Sequence, residues 1–276
     1  ADEAEAMDDA ALIVSAIPTQ YLRGVWKRFV SHTPAGVPIV SVTKGIENES
    51  LLRPTQVIAD VLSEREEGGV RPVGALSGPS IAAELARRLP ATVCVASNDE
   101  RFALMLQEMF TTSWFRVYTN PDLLGVELAA ATKNVIALAA GILDGLQAGN
   151  NAKSALLSRG LAEITRLGVA MGAQQDTFFG VTGVGDLATT CFSPTGRNRS
   201  AGEMLGKGMK LDTVLENIEG VVEGVTTTKS VMQLARQHGV EMPITAAVHA
   251  VLFEELDPID GISQLMTRQP KEERIA

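Results

Sequence analysis

Short apolar runs alternate with amphipathic stretches along the first 120 residues. Runs at 11–17, 37–42, 70–76, 91–96 and 115–118 predict five strands, and the stretches 19–30, 51–62, 80–89 and 99–110 between them predict helices. That alternation is the rhythm of βαβ units and predicts a largely parallel sheet. After Asn120 and Pro121 the strand signal stops. The stretch 123–143 is apolar or alanine nearly throughout, interrupted by Glu127, Thr132, Lys133 and Asn134, and so reads as a membrane span or a buried core helix. The polar cluster in its middle and the glycines favour the core helix. Helical periodicity continues at 153–171, 198–205, 226–238 and 244–255, with Gly239 as the stop after His238. The expected fold is α/β: a parallel-sheet region at 1–120 followed by an all-α region at 121–276.

Composition narrows the class. Of the 276 residues, 45% are hydrophobic, enough for one large core or two moderate ones, and only 4% are aromatic, so the core must be aliphatic and alanine-rich. A net charge of −9 disfavours nucleic acid or an anionic membrane as partner, while a local cluster of Lys and Arg can still oppose the global sign. Cys94 and Cys191 stand apart, and His32, His238 and His249 are scattered, so neither a disulfide framework nor a metal site is expected. Residues 1–10 are acidic and carry no secretory signal, which points to the cytoplasm.

In an open parallel sheet, ligands bind beyond the carboxyl ends of the strands. The second predicted strand is followed there by Thr43-Lys44-Gly45 and the third by Ser77-Gly78-Pro79-Ser80, turns that offer a cation and a helix start to an anion. Lys44 reads equally well as a solvated loop lysine, and Gly78 as a tight connection. Lys133 is the sharpest feature, because an ammonium among Leu, Val and Ala is costly unless it is paired or neutralised. Desolvation would bring it toward a working general acid or base; the alternative is a side chain that snorkels to water or to Glu127. The segment Gly183-Val184-Gly185-Asp186-Leu187 reads as a glycine-rich turn whose acid can pair with Lys133, with Thr190 following. Gly196-Arg197-Asn198-Arg199 opens a helix with cations where the helix dipole disfavours them, which favours an anionic ligand there.

Taken together, Val42-Thr43-Lys44-Gly45, Ser77-Gly78-Pro79-Ser80, Lys133-Asn134-Val135-Ile136-Ala137, Gly183-Val184-Gly185-Asp186-Leu187, Gly196-Arg197-Asn198-Arg199 and Val222-Glu223-Gly224 stand in the order and spacing of one family. The chain resembles the bacterial NAD(P)-dependent sn-glycerol-3-phosphate dehydrogenases along essentially its whole length. The resemblance implies reversible hydride transfer between NAD or NADP and the carbon 2 position of glycerol 3-phosphate or dihydroxyacetone phosphate, in the cytoplasm, by a homodimer that supplies phospholipid synthesis. It makes Lys133 the proton donor and acceptor. It places Lys44, Gly78, Ser80, Asn134, Asp186, Thr190, Gly196, Arg197 and Asn198 at the substrate, and Pro18, Lys44, Ala82, Arg197, Val221 and Glu223 at the cofactor. Gly196 stands where the family commonly has serine. The fold it implies is Rossmann-like but N-terminally incomplete, because no Gly-rich turn precedes the first strand and 11–17 resembles a later strand of the family's cofactor domain. A non-catalytic short form that binds a phosphorylated ligand or serves in oligomerisation is the alternative.

Overall fold

The computed structural model of the chain describes residues 5, 7–63, 71–270, 272 and 273. Five strands, β1 (Ile13–Ser15), β2 (Ile39–Ser41), β3 (Val73–Ser77), β4 (Ala91–Ser97) and β5 (Phe115–Asn120), lie side by side in chain order. Each falls on one of the apolar runs; Val70, the expected start of the third, lies outside the described residues. Strands β1, β2 and β3 are mutually parallel, joined by the amphipathic helices α1 (Thr19–Phe29) and α2 (Pro54–Ser63). Leu22 and Trp26 of α1 pack with Val57, Ile58 and Val61 of α2 against Ile13 and Ile39, forming one core over this part of the sheet. The buried indole of Trp26 donates its N–H to the Ser15 hydroxyl at 3.1 Å, so its one polar atom is satisfied. A second cluster joins Val40, Val93, Val95 and Val117 to Phe102 and Leu106 of α4 (Glu100–Phe110).

One part of the sheet differs from expectation. Strand β4 runs antiparallel to β3, with Ser77 opposite Cys94, although β4 and β5 are parallel to each other. The expected helix at 80–89 forms only as α3 (Ala82–Ala86), and Arg88 just beyond it takes a left-handed φ of 56°. So short a helix cannot carry the chain back along the sheet, and the next strand returns in the opposite direction.

After Asn120 every described element is helical. The long helix α5 (Leu123–Gly145) is buried at every residue from Gly125 to Leu143, which resolves the choice between span and core helix: it is long and apolar enough to cross a membrane, yet it forms the centre of the helical half. Around it stand α6 (Gly149–Ala170), α7 (Gln175–Phe179), a π turn (Val181–Gly185), α8 (Asp186–Phe192), α9 (Arg197–Gly206), α10 (Leu211–Asn217), α11 (Glu223–Gln237), α12 (Pro243–Phe253) and α13 (Pro258–Met266). The crossing of α5 and α9 is backbone against backbone, since a Cβ on Gly141 would overlap the Arg199 carbonyl and one on Gly202 the Leu138 carbonyl. The segment 183–187, read from sequence as a simple turn, is the π turn running into α8. Gly183 packs so closely on the Phe178 backbone that a Cβ would overlap the Phe178 carbonyl. His238 is the C-cap of α11 with Gly239 beyond it at φ 64°, as the capping pattern predicts.

Candidate active site

The site is built where the carboxyl ends of β1–β3 meet the middle of α5. Lys133 stands roughly 15 Å along the axis of α5 from Leu123, at a rise of 1.5 Å per residue. This carries its side chain from the start of the helix to that edge. Lys133 is only 5% exposed. Its ammonium donates to Asp186 Oδ1 at 2.8 Å and to the Thr190 hydroxyl. Both partners lie on α8, one turn apart, and Thr190 is itself oriented by donating to the Asp186 carbonyl at 2.8 Å. The reading in which Lys133 reaches Glu127 is excluded: Glu127 is held by Arg53 and by the amide and hydroxyl of Thr55.

Lys44, in the loop after β2, reaches the other oxygen of the same carboxylate, Asp186 Oδ2, at 2.7 Å, and donates to the Gly78 carbonyl at 3.0 Å. It is therefore engaged rather than solvated. Gly78 has a φ of 143°, and a Cβ there would stand 2.9 Å from the Val93 Cα, so glycine is required where β3 leaves the sheet. Ser80 donates back to the Gly78 carbonyl at 3.0 Å. One buried carboxylate thus bridges two ammonium groups, one from each half of the chain.

Electrostatics follow from this arrangement. Burial pushes the Lys133 pKa down to about 8, helped by the facing Lys44 and opposed by Asp186. Burial alone would raise Asp186, but Lys133 and Lys44 outweigh it and hold the carboxyl below its ordinary value. Glu223, the first residue of α11, is pushed up to about 6 by burial, against the pull of Arg197, Lys44 and Lys133.

The remaining residues named from sequence take the following places in the fold. Asn134, 3% exposed, has no hydrogen-bond partner for its amide among the described residues. Asn198 accepts the Gly224 N–H at 2.9 Å and ties the start of α9 to the start of α11. Arg197 lies close enough to Glu223 to act on its charge, and a Cβ on Gly220 would stand 3.3 Å from the Arg197 guanidinium. Gly196 is the N-cap of α9, Pro18 the N-cap of α1, Ala82 the first residue of α3, and Val221 precedes the N-cap of α11. Arg199 departs from the sequence reading. It is not a free cation beside Arg197 but a buried one, paired with Asp144 and Glu203. Two features went unread in the sequence: the Asp144 partner of Arg199, and the buried hydroxyls of Thr19 and Thr227, which flank Gly45 without hydrogen-bond partners.

The donor set fits an anionic, oxygen-rich ligand. Three cations, Lys44, Lys133 and Arg197, oppose two acids, Asp186 and Glu223. The Asn134 amide, the Arg197 guanidinium and the Thr19 and Thr227 hydroxyls hold donors unused within the described fold. The comparisons agree. Residues 1–103 match the model of the NAD-dependent glycerol-3-phosphate dehydrogenase N-terminus and 122–263 that of its C-terminus. A glycerol-3-phosphate dehydrogenase [NAD(P)+] of Salinibacter ruber is 50% identical over 258 residues, 94% of this chain and 75% of that protein. One from Geobacillus kaustophilus is 49% identical, covering 99% of this chain and 78% of its own. The crystal structure of glycerol-3-phosphate dehydrogenase from Coxiella burnetii superposes with a TM-score of 0.91 at 38% identity, over 97% of this chain and 80% of that one. By sequence and by fold, the chain belongs to the NAD-dependent glycerol-3-phosphate dehydrogenase family.

Proposed function

We propose that the protein interconverts sn-glycerol 3-phosphate and dihydroxyacetone phosphate with NAD or NADP, and that Lys133 moves the proton. The bridge Lys133–Asp186–Lys44 is the observation that carries this reading: a lysine tuned to about 8 is held by a carboxylate at a cluster of positive charge. When bound, the nicotinamide supplies or accepts the hydride at carbon 2. In the reducing direction the Lys133 ammonium donates a proton to the carbonyl oxygen at carbon 2; in the oxidising direction the neutral amine takes the hydroxyl proton from the same atom. Asp186 and Thr190 aim Lys133. Lys44 fixes positive charge beside the developing alkoxide, and Asn134 offers its free amide to a substrate hydroxyl.

Gly196, Arg197 and Asn198 hold the phosphate with backbone amides and a guanidinium at a helix start. Gly78 and Ser80 close the substrate side, while Pro18, Lys44, Ala82, Arg197, Val221 and Glu223 would hold the cofactor. In this reading residues 1–120 belong to the cofactor domain and 121–276 form the substrate domain. The same family resemblance supports a cytoplasmic homodimer that supplies phospholipid synthesis, and the molar mass in solution tests the dimer.

The direct test follows the absorbance of NADH or NADPH on addition of dihydroxyacetone phosphate. Turnover is expected, and Lys133→Ala should lower kcat by about 10²-fold or more. An unchanged rate in that variant moves the proton-transfer role to another group.

A further inference from the structure

We propose that Arg199 is a positioning residue that sets how tightly the substrate's phosphate is held, by fixing the loop from which Arg197 and Asn198 emerge. The proposal rests on the reading of those two residues as phosphate ligands. The side chain of Arg199 is 10% exposed, and its guanidinium spends its donors on four acceptors. Nε donates to the Ser193 carbonyl at 2.8 Å and Nη2 to the Pro194 carbonyl at 3.0 Å. Nη1 donates to Asp144 Oδ2 at 2.8 Å and to Glu203 Oε2 at 3.0 Å.

The two carbonyls belong to the short connection between α8, which carries Asp186 and Thr190, and α9, which begins at Arg197. Asp144 belongs to α5, the helix that carries Lys133, and is itself gripped by Lys153 at 2.7 and 2.8 Å. The guanidinium therefore fastens the connection to the same rigid helix that holds the proton-transfer group. On the far side, Asn198 fastens the start of α9 to Gly224. The backbone from which Arg197 emerges is thus braced on both sides, against α5 and against the start of α11. A planar five-donor fork meets two carbonyls and two carboxylates together, which an ammonium cannot do.

A group that acts through phosphate position should move the binding of a phosphorylated substrate and spare a substrate without phosphate. The experiment compares wild type, Arg199→Lys and Asp144→Asn in turnover of dihydroxyacetone phosphate and of dihydroxyacetone at high concentration. Circular dichroism and the thermal midpoint confirm folding. Both variants are expected to raise KM for dihydroxyacetone phosphate by roughly 10- to 100-fold, the scale of a displacement of about 1 Å in a positioned group. Their kcat/KM for dihydroxyacetone should stay within about twofold of wild type. Equal losses on both substrates, or no loss on either, would overturn the proposal, the first by making Arg199 a merely structural residue. A wild type inert toward dihydroxyacetone phosphate would instead overturn the underlying functional reading, and this inference with it.

Discussion

Lys133 illustrates how burial becomes chemistry at a single residue. Desolvation lowers its pKa to about 8, and the Asp186 carboxylate prevents a deeper fall. In the role proposed for Lys133, reduction of the ketone needs the ammonium, so kcat/KM in that direction should be flat below about pH 8 and fall about tenfold per unit above it. Oxidation of the alcohol needs the neutral amine, so its kcat/KM should rise through the same pH. Opposite limbs with one midpoint, measured in the two directions, identify the titrating group; limbs that do not mirror each other would exclude a single proton-transfer residue. Asp186→Asn sharpens the test. It removes the partner that raises Lys133 and leaves the Lys44 ammonium facing it, and both changes lower the Lys133 pKa. The falling limb of reduction should therefore move to lower pH, with a loss in kcat at the optimum.

Between elements, the α5 and α9 crossing sets the site, and glycine makes that crossing possible. A Cβ on Gly202 would collide with the Leu138 carbonyl, so the helices would have to separate. Gly202→Ala should cost on the order of 1–3 kcal/mol in urea unfolding and weaken substrate binding, because Arg197 moves with α9. Gly24 in α1 is the contrast: exposed, with nothing near its missing Cβ, it should gain about 0.5–1 kcal/mol on replacement by alanine, from helix propensity alone. This scale also marks where the sequence was legible. Long amphipathic or wholly apolar periods located α1, α2, α4, α5, α6, α9, α11 and α12, and one polar cluster in an apolar helix singled out Lys133. The helices α7, α8 and α10 are too short to show a full apolar period, so they went unread, and α13, which does carry one, was missed. The direction of β4 depends on how far α3 extends, which the left-handed Arg88 decides. Arg197 and Arg199 look alike in the chain, but two residues along a helix turn about 200°, so one lies toward Glu223 and Gly220 while the other is buried against Asp144.

Across the whole molecule, function requires the two halves to keep a fixed relation, since Lys44 comes from the sheet side and Asp186 from the helical side. Polar contacts span the join: Ser230 of α11 donates to the Ile46 carbonyl at 3.1 Å and to Asn48 at 2.5 Å, while Gln20 of α1 holds that same carbonyl from within the sheet half at 2.8 Å. The deepest is Glu127 of α5, 3% exposed, which accepts from the Thr55 amide at 2.9 Å, from the Thr55 hydroxyl at 2.7 Å and from Arg53. It caps the start of α2 from the other half of the chain. Burial pushes the Glu127 pKa up while Arg53 and Thr55 oppose the shift, so the pair is held by geometry rather than by a large electrostatic gain. Removing one partner leaves a poorly hydrated guanidinium and an unpaired amide, which is the costly case. Glu127→Ala should therefore lose about 3–5 kcal/mol, seen as a lower urea midpoint with an unchanged slope, and should reduce kcat by loosening Lys44 from Asp186. Asp60→Ala, which breaks the half-exposed pair with Arg23, should change stability by no more than about 1 kcal/mol and leave turnover intact. If the two substitutions cost the same, the join between the halves is carried by apolar packing alone, and the carboxylate buried in α5 is incidental to it.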